Sequence, residues 1–379
     1  MLKAKSTIPI VFPTLHNFDE VVHEFRQAWE SGQVTTGTFT RQFEMVVEEK
    51  LEVPHTIMVQ SCTAGLMLVM RAMELKGEVI LPSFSWTATA LAVIWNGLIP
   101  VFAEITPGVC TLDPEAVANA ITPRTAAVMP VNVFGCPPNY EAFAQLAQDN
   151  HLALLYDSAQ GLGSRYQGDH NTWHYAGGFG DAEVFSLSPT KVVSAMEGGL
   201  ITTRNDRLAQ KLRRMRDYGK TADGEDIAWL GLSARIPEIN AIVARYNFTH
   251  LDELVRRRQE LIQAYKKTLG ELAGVSYQTI PANFQSSWNY FTLFINAQEA
   301  RYSRDEVYDY LKKQGIQAKK YFYPALHQQK VYQEIGGSYL GKLPITETAA
   351  AQGLALPLYS HMEIDTVAKV AESLRVILR

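Results

Sequence analysis

Cysteine is scarce in this chain: Cys62, Cys110 and Cys136 are the only three. They are too few and too scattered for a disulfide framework, and no CxxC pair offers a zinc site. A reducing cytosol is the expected setting, and no metal is expected. Charge of one sign is scarce as well. A formal net charge of −4 argues against a nucleic-acid groove and against a basic membrane patch. The stretch ARIPEINAIVARYNF has a superficial helix-turn-helix look, but no basic recognition helix accompanies it. Long apolar runs are missing too. The run Ala90–Ile94 is cut off by Asn96 and Gly97, so no transmembrane helix is expected. The opening MLKAKSTIPIVFP has no apolar run ending at a small-residue cleavage site and does not read as a signal peptide. There is no internal repeat and no low-complexity tract. Neither GxxxxGK(S/T) nor a well-placed GxGxxG occurs, which argues against nucleoside triphosphate hydrolysis and dinucleotide binding.

What is present is an ordinary globular composition, 47% hydrophobic and 20% charged over 379 residues, with apolar material for a large core. From about residue 55 to 205, short β-rich runs alternate with helical patterns. The candidate strands are HTIMVQ, GEVILP, IPVFAEI, AAVMPVNVF, LALLYD, AEVFSLS and GLITTR. Apolar strands alternating with helices predict an α/β domain with a mostly parallel sheet covered on both faces. From Pro237 to about Leu269 the pattern predicts a long, charge-rich connecting helix with room for an interruption. After it, VSYQTI, YFTLFI and GIQAKKYF read as strands, and SRDEVYDYLKKQG and EIDTVAKVAESLRVIL as helices. We expect a large α/β domain over residues 15–250 and a smaller α+β domain over 251–379, with the arm 1–14 packing on the latter.

Open parallel sheets bind ligands at the carboxyl ends of their strands, and three strand ends carry reactive side chains. LALLYD ends in Asp157. A carboxylate there caps the following turn or pairs with a positive partner, and a pyridinium nitrogen suits it. In VFSLSPTKVVSAMEGG, Lys191 follows the strand end at Ser186. A lysine in a turn is ordinarily solvated. At a buried strand end it can instead offer a neutral amine for a Schiff base with pyridoxal phosphate, with Ser186 beside the phosphate. The succession Asp157, Ser186, Lys191 favours the second reading. In HTIMVQSCTAGLMLVM a small-residue turn opens a helix, and helix N-termini bind phosphate. Thr63 adds a hydroxyl there. Small residues also cap helices for structural reasons alone. Trp86 follows EVILP and is either a core residue or a flat surface for a flat cofactor.

Together these segments resemble the DegT/DnrJ/EryC1/StrS family, the sugar aminotransferases among the fold-type-I pyridoxal phosphate enzymes. SGQVTTGTFTRQFE, SCTAGL, PSFSWTATA, NVFGCPPN, YDSAQG, FSLSPTK, EGGLITT, KKYFYPALH and LALPLYS follow one another in the family's order. The resemblance implies an aspartate-aminotransferase-like fold and these roles. Lys191 binds the cofactor and later moves the proton. Asp157 pairs with the ring nitrogen, Gln160 meets the ring hydroxyl and Trp86 stacks on the ring. Thr63, Ala64 and Ser186 hold the phosphate. Lys319, Tyr321 and His327 meet an anionic substrate, although this segment also reads as a charged, solvated edge strand. The implied reaction moves an amino group from L-glutamate to a nucleotide-linked keto sugar, a 4-keto-6-deoxyhexose, in two half-reactions. It runs in a homodimer with active sites at the interface. Alternatives are a cyclitol or aminohydroxybenzoate aminotransferase, a pyridoxal phosphate-dependent sugar dehydratase, and a non-catalytic regulatory homologue. One position departs from the family: Ser233 stands where an asparagine usually reaches the neighbouring subunit's phosphate.

Overall fold

The computed structural model describes residues 7–15, 18–168 and 171–378. Its centre is a seven-stranded sheet in the order β1-β9-β8-β5-β4-β2-β3. These strands are β1 (His55–Val59), β2 (Glu78–Pro82), β3 (Ile99–Ala103), β4 (Thr125–Val128), β5 (Ala153–Asp157), β8 (Ala182–Ser186) and β9 (Gly199–Thr203). Only β9 runs against its neighbours; every other pairing is parallel. Two-residue periodicity sends successive side chains to opposite faces. Met58, Ile80 and Leu200 join the core on one face, while Ile57, Val59, Val79, Leu81 and Ile201 join the core on the other.

Helices close both faces. On one side pack α2 (Thr38–Leu51), α5 (Pro114–Ala120), α6 (Tyr140–Asn150) and α8 (Glu238–Thr249), through residues such as Phe43, Val117, Phe143 and Phe248. On the other pack α3 (Cys62–Ala72), α4 (Thr87–Trp95) and α7 (Asp206–Met215), through Leu66, Val93 and Leu212. α1 (Phe18–Ser31) lies on α8 through Val21 and Ala28. Several starts are written locally: the side chains of Ser61, Asn139 and Asn205 accept N–H bonds in the first turns of α3, α6 and α7.

The expected long helix is broken at His250 into α8 and α9 (Leu251–Leu269). α9 packs with α13 (Ile364–Leu378) and α10 (Arg304–Lys313) around a three-stranded antiparallel sheet. That sheet is β10 (Val275–Tyr277), β12 (Phe291–Ile295) and β13 (Gly353–Leu356), in the order β10-β12-β13. Arg304 starts α10 behind a capping box of Ser303 and Glu306. α11 (Gln333–Gly336) and α12 (Pro344–Gln352) precede β13 in the chain. From the arm, Ile8 and Ile10 exchange backbone hydrogen bonds with Gly315, Gln317 and Leu358; residues 1–6 lie outside those described.

Two expectations need correction, and one sheet was not expected. GIQAKKYF is not a strand. Only Ile316 and Lys319 make isolated bridges, because the two ends of the segment pair with different neighbours, the arm at Ile8 and β13 at Ala355. A third sheet, β11-β6-β7, joins Arg165–Gln167 (β6), Trp173–Tyr175 (β7) and Phe284–Gln285 (β11). Its strands are two or three residues long, too short for periodicity to show. In the sequence Arg213, Arg214 and Arg216 form a basic cluster whose helical spacing reads as a solvated face, and the structure corrects this. Arg216 is buried and donates to Glu44 Oε1 and the Met58 carbonyl, both at 2.7 Å.

Candidate active site

The carboxyl ends of β1, β2, β4, β5 and β8 open onto one cavity of about 340 Å³. Ser61, Thr63, Trp86, Asp157, Gln160, Ser186 and Lys191 all line it, with Lys319 and Tyr321 from the far side. Ser61 and Lys191, 130 positions apart in the chain, meet there because the strands they follow end on the same side of the sheet.

Asp157 ends β5 and is 3% exposed. Its Oδ2 accepts from Thr89 Oγ1 at 2.6 Å and its Oδ1 from the Ala159 N–H at 3.1 Å. Burial pushes its carboxyl above the ordinary range, while Thr89, Ala159, Lys191 and Cys62 pull the other way. A carboxylate kept this dry gains from a positive partner. Cys62 lies beside it, Sγ 3.9 Å from Oδ1 and 3.6 Å from the Val184 carbonyl. Burial and the charge of Asp157 hold the Cys62 thiol well above its ordinary range, so it stays protonated.

Cys62 opens α3, whose N-terminus faces the same cavity. The Ala64 N–H goes to Ser61 Oγ at 3.1 Å and the Gly65 N–H to the Ser61 carbonyl at 3.0 Å. Helix geometry leaves the N–H groups of Cys62 and Thr63 for a ligand. Gly199 makes this approach possible. A Cβ there would stand 2.5 Å from the Ser61 carbonyl carbon and 2.6 Å from the Cys62 nitrogen, so β9 can run beside the helix start only as glycine. Lys191 follows β8 in a turn closed by its own N–H to the Ser188 carbonyl at 3.0 Å. The loop is pinned by Ala195 N–H to the Leu187 carbonyl at 2.8 Å. Gln160 is buried, and its Oε1 accepts from the Phe134 N–H at 2.7 Å, which leaves its amide N–H₂ as the free end.

The outer wall is aromatic. Trp86, 55% exposed, meets Tyr321 edge-on at 6.3 Å, and Tyr321 packs on Tyr290 at 4.9 Å. Lys319 Nζ stands 5.4 Å from the Tyr321 ring centre. Lys320 instead pairs with Asp305 at 2.8 Å.

Two expected residues stand elsewhere. His327 does not line the cavity: its ring is 1% exposed, held between Ser83 Oγ at 2.6 Å and Glu347 Oε1 at 3.1 Å. Its capacity to meet substrate is used up by protein partners. Ala64 also lies outside the lining, with its N–H spent on the cap. Ser233 is exposed and bridges Asp217 through its backbone. Sequence reasoning missed Thr89, Cys62, Asn132 and Tyr290. The signals were a hydroxyl in the otherwise apolar TATALAVIW and the polar Asn132 between Val131 and Val133. The side chain of Asn132 donates to Ser158 Oγ at 2.7 Å, and Ser158 donates to Glu183 Oε2 at 2.7 Å. Glu183, fully buried in β8, is pushed up to about 7 by burial.

The set fits pyridoxal phosphate. A dry carboxylate suits the pyridine nitrogen, a helix start with the Thr63 hydroxyl suits the phosphate, and the Lys191 amine lines the same cavity. Comparison with known proteins agrees. The DegT/DnrJ/EryC1/StrS aminotransferase family profile matches residues 17–375. The dTDP-4-amino-4,6-dideoxy-D-glucose transaminase of Shigella dysenteriae is 30% identical over 96% of this chain and 97% of its own. That of Escherichia coli is 28% identical over 97% of this chain and 98% of its own. DesI, crystallised in the presence of its TDP-sugar product, superposes with a TM-score of 0.90 at 32% identity, covering 98% of this chain and 93% of DesI. The chain belongs to the DegT/DnrJ/EryC1/StrS aminotransferase family, and it is a transaminase that works with pyridoxal phosphate.

Proposed function

We propose that this transaminase moves the amino group of L-glutamate to a nucleotide-linked keto sugar, a 4-keto-6-deoxyhexose, in two half-reactions. The observation that carries this reading is the pairing of a dry inner wall, Asp157 and the α3 start, with an outer wall that offers a cation and aromatic faces, Lys319, Tyr321 and Trp86. The curated relatives act on dTDP-linked amino sugars by name, and an anionic nucleotide suits that outer wall.

Bound pyridoxal phosphate supplies an electron-poor ring that takes up the electron pair left when a proton leaves the substrate carbon. Asp157 holds the ring N–H, oriented by Thr89 and the Ala159 N–H. The hydroxyls of Ser186 and Thr63 and the N–H groups of Cys62 and Thr63 take the phosphate. Gln160 turns its amide N–H₂ to the ring hydroxyl, since Phe134 already occupies its oxygen. Trp86 covers the ring. Lys191 Nζ binds the cofactor at rest, then takes the proton from the substrate carbon and returns it as general base and acid. Lys319 and Tyr321 meet the diphosphate.

A homodimer belongs to this reading. The segment 218–230 projects Tyr218, Ile227, Trp229 and Leu230, with Leu230 at 70% exposure, and clustered apolar surface of this kind marks an interface. Sedimentation of the holoenzyme at twice the monomer mass is expected. The reading also divides the chain near residue 250 into a cofactor-holding unit, 15–250, and a smaller unit, 251–379, which limited proteolysis tests. The function itself is tested by incubating the purified protein with pyridoxal phosphate, L-glutamate and a dTDP-linked 4-keto-6-deoxyhexose. Release of 2-oxoglutarate together with an amino sugar is expected. A sugar product that has lost water without gaining nitrogen would replace the reading with dehydration.

A further inference from the structure

His327 is a polar ring in a place with no solvent, and its surroundings give it work. It lies just after the segment 319–323 that brings Lys319 and Tyr321 to the cavity. Ser83 lies at the end of β2, just before Phe84, Ser85 and Trp86. Ser83 Oγ accepts the His327 backbone N–H at 3.0 Å and meets His327 Nδ1 at 2.6 Å. The Ser83 carbonyl accepts the Leu326 N–H at 2.9 Å. On its other side, His327 Nε2 meets Glu347 Oε1 at 3.1 Å.

The hydrogen inventory orders this chain. Because the Glu347 carboxylate can only accept, Nε2 carries the ring hydrogen and donates to it, and in the neutral ring Nδ1 then accepts from the Ser83 hydroxyl. Glu347 sits on α12, and the start of α12 is itself fastened to the large sheet. Glu104, after β3, accepts from the Ile345 N–H at 2.9 Å and the Thr346 N–H at 2.8 Å. The outer wall is thus tied to the ends of two neighbouring strands, β2 through Ser83 and β3 through Glu104, with His327 as the link between the ties. Around it the two loops touch through side chains: Phe84 meets Phe322 at 5.3 Å, Trp86 meets Tyr321 at 6.3 Å, and Thr87 Oγ1 meets Tyr332 OH at 2.6 Å.

We propose that His327 is a positioning residue: bridging Ser83 and Glu347, it locks the loop carrying Lys319 and Tyr321 onto the loop carrying Trp86, and so fixes the outer wall of the active site without touching substrate. The placement of that wall over the cofactor rests on the functional reading above; the loop-to-loop lock does not.

The test compares His327→Leu, His327→Asn and Ser83→Ala with the unaltered holoenzyme. Hydrogen–deuterium exchange reads the lock, and the visible circular dichroism of the bound cofactor reads the wall. Asparagine places a polar atom where Nδ1 was, so it keeps the Ser83 bond and loses the Glu347 bond. With a hydrogen bond worth roughly 1 kcal/mol, His327→Leu is expected to raise exchange about five- to tenfold in both 83–88 and 319–328. Peptides around 61–64 and 157–160 stay unchanged. The cofactor's absorbance stays and its dichroism changes. His327→Asn recovers most of the protection. Ser83→Ala, a small change in a buried site, gives the same pattern at smaller size and serves where the leucine variant fails to fold. Unchanged exchange in both loops, or an asparagine variant no better than leucine, overturns the proposal. Exchange needs neither cofactor nor substrate. A protein that shows the lock but no cofactor absorbance refutes the functional reading and leaves the lock standing.

Discussion

The two walls of the cavity are built on different plans. The inner wall is made of strand ends. Asp157, Ser186 and the α3 start follow β5, β8 and β1 directly, within a sheet whose strands are buried on both faces. The outer wall is made of loops. Lys319 and Tyr321 leave a bridge to Ala355, Trp86 caps α4, and their mutual placement depends on buried links such as His327. A strand end inherits its position from the sheet. A loop must be held by contacts that come from elsewhere in the chain. The inner wall is therefore expected to decide whether chemistry happens, and the outer wall on what.

The largest effect that tests this contrast is Lys191→Ala, expected to lower turnover by about 10⁴-fold and to remove the lysine-bound cofactor's absorbance band. Transamination retained in that variant would remove Lys191 from its role. Next is Asp157→Asn, which keeps size and loses charge; a fall of roughly 10²- to 10³-fold in the rate of the amino-donor half-reaction is expected, seen by stopped-flow absorbance.

Behind the inner wall, Glu183 links pH to stability. Its folded-state carboxyl is raised to about 7 from an ordinary 4.5. Between those values the folded chain holds a proton that the unfolded chain releases. Stability is therefore full at the acid end of this window and falls as pH rises through the folded value. Glu183→Gln is expected to flatten that fall, a difference on the order of 3 kcal/mol, in denaturant titrations from about pH 5 to about pH 8. Identical slopes would show that Glu183 is ionised throughout.

Thr89→Val deletes the 2.6 Å bond to Asp157 and is expected to slow the amino-donor half-reaction about tenfold while the cofactor stays bound. The smallest effect belongs to the outer wall. Lys319→Ala is expected to raise KM for the nucleotide-linked substrate about fivefold, with kcat nearly unchanged and the loss shrinking as salt rises. A fall in kcat equal to that of Thr89→Val would erase the distinction between the walls.

The same division separates what the sequence shows from what it hides. All seven strands of the large sheet are visible as apolar runs, because a strand buried on both faces must be apolar along its length. Asp157 and Ser186 are visible because each ends such a run, and Lys191 because it lies in the turn that follows one. GIQAKKYF looks equally strand-like, yet its two ends pair with different distant segments, at Ile8 and at Ala355, and only the tertiary structure decides that. Arg216 reads as a solvated charge beside Arg213 and Arg214, until Glu44 and the Met58 carbonyl meet it across 172 and 158 residues.

The amino-acid sequence by itself therefore determined the sheet and the strand ends that carry Asp157 and Ser186 to the cavity, since periodicity and strand ends are local facts. Tertiary structure alone decided which side of the wall His327 faces, that Thr89 rather than a nearer residue holds Asp157, and that Gly199 lies against the α3 start. Those depend on distances between segments far apart in the chain, and only the packed core fixes such distances.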